Sequence, residues 1–218
     1  MHSIDLPAWM GERALYHFST IIPATTALLV IDMQVVFTEP GQPAFGPYAA
    51  EIIPRINNLA AVVRAAGGMV AYTRHTTTRE GPKAIAPWQW EDERVSAIEY
   101  AFQPGMREQG LNPRITLGPD DVVVDKYRYS ALTHNSSDLN EILAARGIDT
   151  VIVTGVLTNC CCETTARDAS MLGYKTFFLT DANGALTDEE HNAALMNLGG
   201  MFADVRSTAD MIALIEKA

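Results

Sequence analysis

Three cysteines stand in a row at Cys160, Cys161 and Cys162, and the chain has no others. A thiolate attacks carbonyl carbon readily, but an ordinary thiol, with a pKa of about 8.5, is mostly protonated at neutral pH. Position can change that. Ahead of the cysteines, Val151 to Val156 reads as a buried strand; behind them, Glu163 to Gly173 reads as a helix stopped by glycine. The thiols therefore fall where a strand turns into a helix. Unpaired N–H groups and the helix macrodipole favour a thiolate there. The competing reading is that small buried cysteines only pack the turn. Two other residues share this strand-end placement. Asp32 closes the apolar run Ala27 to Ile31, where a carboxylate is out of place unless paired or functional. Lys126 directly follows the apolar stretch Val122 to Asp125, and its plainer reading is a solvated surface lysine.

These residues need elements to hold them, and from Ala27 onward the chain alternates strand and helix. Strands are expected at 27–32, 69–72, 122–125, 151–154, 176–179 and 202–205. Helices are expected at 49–66, 137–146, 163–172, 188–198 and 209–217. Thr187 followed by Glu190 forms a capping box ahead of one of them. Near-continuous apolar strands between amphipathic helices imply a parallel sheet covered on both faces. Ligands of such sheets bind at the carboxyl ends of the strands, which directs attention to the residues just named. Residues 1–26 are poorly periodic and read as an N-terminal arm, leaving 27–218 as one α/β domain. Thr76 to Asp120 reads as a long irregular connection carrying Trp88 and Trp90, and a connection of that length is usually functional.

The composition, 48% hydrophobic and 19% charged over 218 residues, is that of a globular protein able to bury a full core. A net charge of −10 argues against general binding to nucleic acid or to an anionic membrane. Three adjacent cysteines cannot form a disulfide framework, so a reducing, cytoplasmic setting is expected. No signal peptide or membrane-spanning run is read. Neither a Gly-x-Gly-x-x-Gly nor a Walker pattern occurs, so no nucleotide cofactor is expected.

Three segments together carry a family resemblance: Leu28 to Gln34, Asp125 to Ala131, and Gly155 to Ala169, the last containing Gly155-Val156-Leu157-Thr158-Asn159-Cys160-Cys161-Cys162. In these the chain resembles the isochorismatase-like cysteine hydrolases over roughly residues 25–210. The resemblance implies a three-layer α/β/α fold with a six-stranded parallel sheet in order 3-2-1-4-5-6. It implies an Asp32, Lys126 and Cys161 triad, a non-proline cis peptide between Val156 and Leu157, and an oxyanion hole from the N–H groups of Leu157 and Cys161. Asp32 would move the proton, and Lys126 would steady the thiolate and hold Asp32 ionised. The implied reaction is attack on an amide, carbamoyl or ureido carbonyl of a small molecule, loss of ammonia or an amine, and hydrolysis of a thioester. The family's habit also implies a homo-oligomer.

Around the triad, Arg74, His75, Arg128, Tyr129 and Asn135 are candidates to read a substrate carboxylate or carbonyl. Each has a structural hydrogen bond or a surface position as its alternative. Gln34 either lies beside the substrate or orients Asp32. Trp88 and Trp90 either wall the pocket or pack a subunit interface. Nicotinamidases of this superfamily hold a metal through Asp-x-His and a further histidine. This sequence has no Asp-x-His, so no catalytic metal is expected and nicotinamidase activity is disfavoured. An isochorismatase-type vinyl-ether hydrolase is the alternative enzyme. A non-enzymatic thiol module is a weaker third reading, because neighbouring helical cysteines diverge by about 100°.

Overall fold

The computed structural model of the chain describes residues 1–90 and 93–218. Six parallel strands form one sheet in the order β3-β2-β1-β4-β5-β6. They are β1 (Thr26–Ile31), β2 (Met69–His75), β3 (Val122–Lys126), β4 (Thr150–Val156), β5 (Lys175–Gly184) and β6 (Asp204–Arg206). Each pairs in parallel with its neighbours, so all carboxyl ends lie along one edge. This is the expected fold class and strand order. β1 and β4 are buried on both faces, which is why their sequences are apolar without alternation.

Successive side chains of a strand point to opposite faces, and the core divides accordingly. Leu28 and Val30 of β1 pack with α3 (Ile53–Ala65) and α8 (Thr208–Glu216). Ala27, Leu29 and Ile31 pack with α5 (Leu139–Ala145), α6 (Glu163–Met171) and α7 (Asp188–Met201). The capping box at Thr187 and Glu190 opens α7 with both reciprocal hydrogen bonds in place.

Several bounds differ from expectation. β2 runs on through Thr73, Arg74 and His75, and β5 through Gly184; their polar ends are paired by backbone, which hydropathy does not register. The connection 76–120 is not wholly irregular, since it carries α4 (Glu93–Ala101). Two short helices add to the expected set, α1 (Trp9–Arg13) in the first 26 residues and α2 (Val35–Thr38) just after Asp32. The cysteines do not begin an α-helix. They lie in a π-helical turn, Thr158–Cys162, that leads into α6. No described helix is long and apolar enough to cross a membrane.

Candidate active site

β1, β3 and β4 end side by side with β2, and the candidate residues come off those ends. β1 pairs with β4 up to Ile31 opposite Gly155. There Gly155 has φ +117°, and a Cβ on it would lie 2.0 Å from the Ile31 carbonyl oxygen. Only glycine fits, and its fit lets the segment after β4 cross close to Asp32. Asp32 itself takes the left-handed region at φ 51°, a conformation non-glycine residues adopt rarely and mostly at special sites. Its backbone N–H donates to the Thr73 carbonyl at 3.2 Å. The Thr73 hydroxyl donates to Asp32 Oδ1 at 2.7 Å.

The other carboxylate oxygen faces Lys126. Nζ lies 2.7 Å from Asp32 Oδ2, with both side chains 0% exposed. The approach is poorly aligned for a hydrogen bond, so Oδ2 is held by charge and retains its capacity to accept one. Nζ also donates to Cys161 Sγ at 3.4 Å and to the Arg128 carbonyl at 3.1 Å, and lies 3.2 Å from His75 Nδ1. An ammonium can only donate. His75 Nδ1 therefore accepts, and the ring carries its proton on Nε2. Burial first, then the Lys126 charge, holds His75 well below the usual histidine range, so the ring is neutral. For Lys126, burial opposes the charge, but Asp32 and Cys161 outweigh it and the pKa is raised. A lysine buried this completely stays charged only because it is paired.

The neighbouring Cys161 thiol lowers the pKa of Cys160, and Lys126 adds to this against burial. The Cys160 thiol and burial raise Cys161 well above the ordinary thiol range, against the pull of Lys126. The ammonium contact is made by Cys161 Sγ. Cys162 is 0% exposed among core residues, and burial raises its pKa too. The Val156–Leu157 peptide is cis. The Leu157 carbonyl accepts from the N–H groups of Cys160 and Cys162, each at 3.1 Å, which fastens the turn.

A cavity of about 270 Å³ opens over Cys160, Cys161 and His75. The other candidates divide. Tyr129 stacks on His75 with ring centroids 6.0 Å apart, and with Arg128 it lines an adjoining cavity of about 290 Å³ on the far side of His75. Arg128 gives hydrogen bonds to the Lys83, Tyr127 and Ala84 carbonyls. Four candidates stand apart from the cavity over Cys161. Gln34 neither faces the cavity nor bonds the Asp32 side chain: its amide spans the His75 backbone and the Gln109 carbonyl. Arg74 points away from His75, as strand alternation requires, and pairs with Asp125 at 2.7 Å. Asn135 is exposed with φ 58°, a turn residue in the left-handed region asparagine tolerates. Trp88 is 71% exposed and lines neither cavity. The Trp90 side chain lies outside the described residues.

Sequence reasoning missed Thr73 and the Thr158–His191 pair. The Thr180 carbonyl accepts from His191 Nε2 at 2.9 Å, so His191 Nδ1 accepts from the Thr158 hydroxyl at 2.8 Å. His2 stacks on His191 at 4.1 Å and accepts from the Ala185 N–H. These contacts join residues far apart in sequence, and no local pattern announces them.

Asp32, His75 and Cys161 bring metal-ligating atoms within 4.8 Å of one another. The Lys126 ammonium already touches all three. A divalent ion here would sit against a fixed positive charge, so the donor set fits the ammonium and not an added metal.

The isochorismatase domain matches residues 26–210. The chain is 37% identical over 180 residues to nicotinamidase 3 of Arabidopsis thaliana, across 81% of this chain and 82% of that one. It is 33% identical over 204 residues to the ureidoacrylate amidohydrolase RutB of Caulobacter vibrioides, across 86% and 90%. The crystal structure of a cysteine hydrolase from Pseudomonas syringae pv. phaseolicola aligns with a TM-score of 0.82 at 32% identity, covering 90% of this chain and 95% of that one.

Proposed function

The chain belongs to the isochorismatase family, and from that premise we propose a cysteine-dependent hydrolase of amide, carbamoyl or ureido C–N bonds in small molecules. The observation that carries this reading is the buried cluster of Asp32, Lys126 and Cys161 at the floor of a cavity, with Lys126 touching both partners. Cys161 Sγ gives its proton to Asp32 Oδ2 and attacks the carbonyl carbon. The oxyanion forms against the N–H groups of Leu157 and Cys161, each such donor being worth roughly 3–4 kcal/mol in acyl transfer. Asp32 passes its proton to the departing nitrogen, the C–N bond breaks, and a thioester remains. Asp32 then takes a proton from water, whose oxygen attacks the thioester; the C–S bond breaks, the acid leaves, and Asp32 returns the proton to the Cys161 sulfur. Lys126 keeps its proton throughout and balances the charge that moves between carboxylate and sulfur.

The relatives named for nicotinamide and ureidoacrylate chemistry support C–N cleavage over vinyl-ether hydrolysis, which needs no thiol. Three free cysteines support a cytoplasmic setting. Exposed Trp9, Leu15 and Met201, which line one surface depression, support assembly as a homo-oligomer. Residues 1–26 are taken as an arm on the 27–218 domain. The test is ammonia release across small amides, N-carbamoyl amino acids and ureido acids, with Cys161→Ala as control and mass spectrometry to catch the acyl-enzyme. Ammonia release that survives in Cys161→Ala refutes the mechanism.

A further inference from the structure

We propose that the substrate is an uncharged amide with a compact apolar acyl group, aromatic or branched, and not an amide or ureide bearing a carboxylate; this rests on the C–N hydrolase reading above. The cavity over Cys161 is walled by Phe37, Phe45, Ile98, Phe102, Leu157 and Leu186. Phe37 and Phe102 meet at a ring-centroid distance of 5.3 Å, and the His75 ring stands edge-on to Phe102 at 4.7 Å. Such a wall gains by covering apolar surface and offers a carboxylate nothing in return for its lost hydration. Among the described residues, no lysine or arginine side chain lines this cavity. Lys126 lies behind Cys161, already shared among Asp32, His75, Cys161 and the Arg128 carbonyl.

A second cavity, which shares His75, is lined by both Glu99 and Arg128. Among the described residues Glu99 Oε2 is buried without a hydrogen-bond partner, and Arg128 gives three of its five N–H donors to backbone carbonyls. A carboxylate placed there would meet Glu99 as well as Arg128, and the cavity over Cys161 has no such cation among its described lining residues. Size sets the second limit. The cavity of about 270 Å³ has room for roughly ten non-hydrogen atoms, given about 30 Å³ of liquid volume per water. A benzoyl or isovaleryl group fits within that volume.

The experiment measures kcat/KM for ammonia release from benzamide, isovaleramide, acetamide, N-carbamoylglycine and ureidoacrylate. Benzamide and isovaleramide are expected to exceed acetamide by about tenfold, the low end for apolar contacts in a fitted pocket, and to exceed both carboxylates further. Leu186 lies at the rim and is 44% exposed, so Leu186→Arg is expected to fold, to weaken benzamide and to improve N-carbamoylglycine. Equal or better turnover of the carboxylates by the unaltered enzyme overturns the proposal and leaves the hydrolase reading intact. Calorimetric binding of benzamide and N-carbamoylglycine to Cys161→Ala separates the two ideas. Benzamide that binds, with no ammonia released by the unaltered enzyme from any of the five compounds, supports the pocket assignment and refutes the hydrolase reading. Failure of benzamide to bind overturns the pocket assignment.

Discussion

Replacing Asp32 by asparagine tests the proposed chemistry most directly, because the structure predicts two effects that can be measured apart. The Thr73 hydroxyl can still donate to the amide oxygen, where it now meets Oδ1 at 2.7 Å. The amide nitrogen then faces the Lys126 ammonium, donor against donor, where the carboxylate oxygen stood at 2.7 Å. Both side chains are 0% exposed, and breaking a buried pair on one side costs about 3–5 kcal/mol. At about 2–4 °C per kcal/mol for a chain of this size, the melting temperature should fall by roughly 6–20 °C. Independently, an amide cannot accept the thiol proton, so kcat should fall by about a hundred- to ten-thousand-fold. Assays run well below the variant's melting point keep the two effects apart. The double variant Asp32→Asn with Lys126→Met removes the stranded charge, and should recover much of the lost stability while recovering no turnover. Turnover within tenfold of the unaltered enzyme, in an Asp32→Asn protein that melts normally, would refute the proton-transfer role.

The other predictions concern the cysteines, metal and pH. Brief alkylation read by mass spectrometry should label Cys161 first. Cys161→Ala should be inactive, Cys160→Ala should retain most turnover, and Cys162→Ala should lower the melting temperature without lowering kcat; an active Cys161→Ala with label on Cys160 would reverse the assignment. Activity should survive exhaustive chelation, because the ammonium already meets the three ligating side chains; loss restored by zinc or iron would contradict that. Burial and the neighbouring His2 push His191 down to about 4, whereas in the unfolded chain it titrates near the ordinary value of about 6.5. The unfolded state therefore binds more protons between those values. Stability is full above about pH 6.5 and should fall by up to about 3 kcal/mol as pH drops toward 4. His2 and Asp188 face this ring, and His191→Gln should flatten that part of the melting profile; an unchanged profile would show that other groups carry it.

What the sequence disclosed and what it hid follow one physical division. The strands were legible where they are buried on both faces, as in Leu28 to Ile31, because burial demands apolar side chains without interruption. The capping box was legible because its two residues satisfy each other locally. Asp32, Lys126 and the run of three cysteines were legible through their shared place after apolar strands, and the choice of Cys161 among the three came from the family resemblance. Arg74 and His75 looked equivalent in the sequence, yet strand alternation sends one to Asp125 and the other to Lys126, and extending β2 to His75 would have separated them. The cavity wall was hidden for a different reason. Phe37 and Phe45 come from the connection after β1, Phe102 from that between β2 and β3, and Leu186 from that after β5, and nothing in their spacing says that they meet.

Lys126 shows why local reading undervalues such a residue. A lysine at the end of a strand is ordinarily a solvated one, since burying an ammonium costs more than most sites can return. Here the return comes from a carboxylate, an imidazole nitrogen, a thiol and a carbonyl, supplied by residues 94, 51 and 35 positions away and by the next turn of chain. That is a cation's coordination shell built from the donor types a metal would use, with the cation attached covalently to β3. An attached cation cannot dissociate, so its site needs no free ion and no second charge. It also stands 2.7 Å from the Asp32 carboxylate and 3.4 Å from the Cys161 sulfur. In the proposed mechanism the proton would pass between two groups across this stationary charge, and an ion exchanged from solution would have to displace the lysine before it could take part.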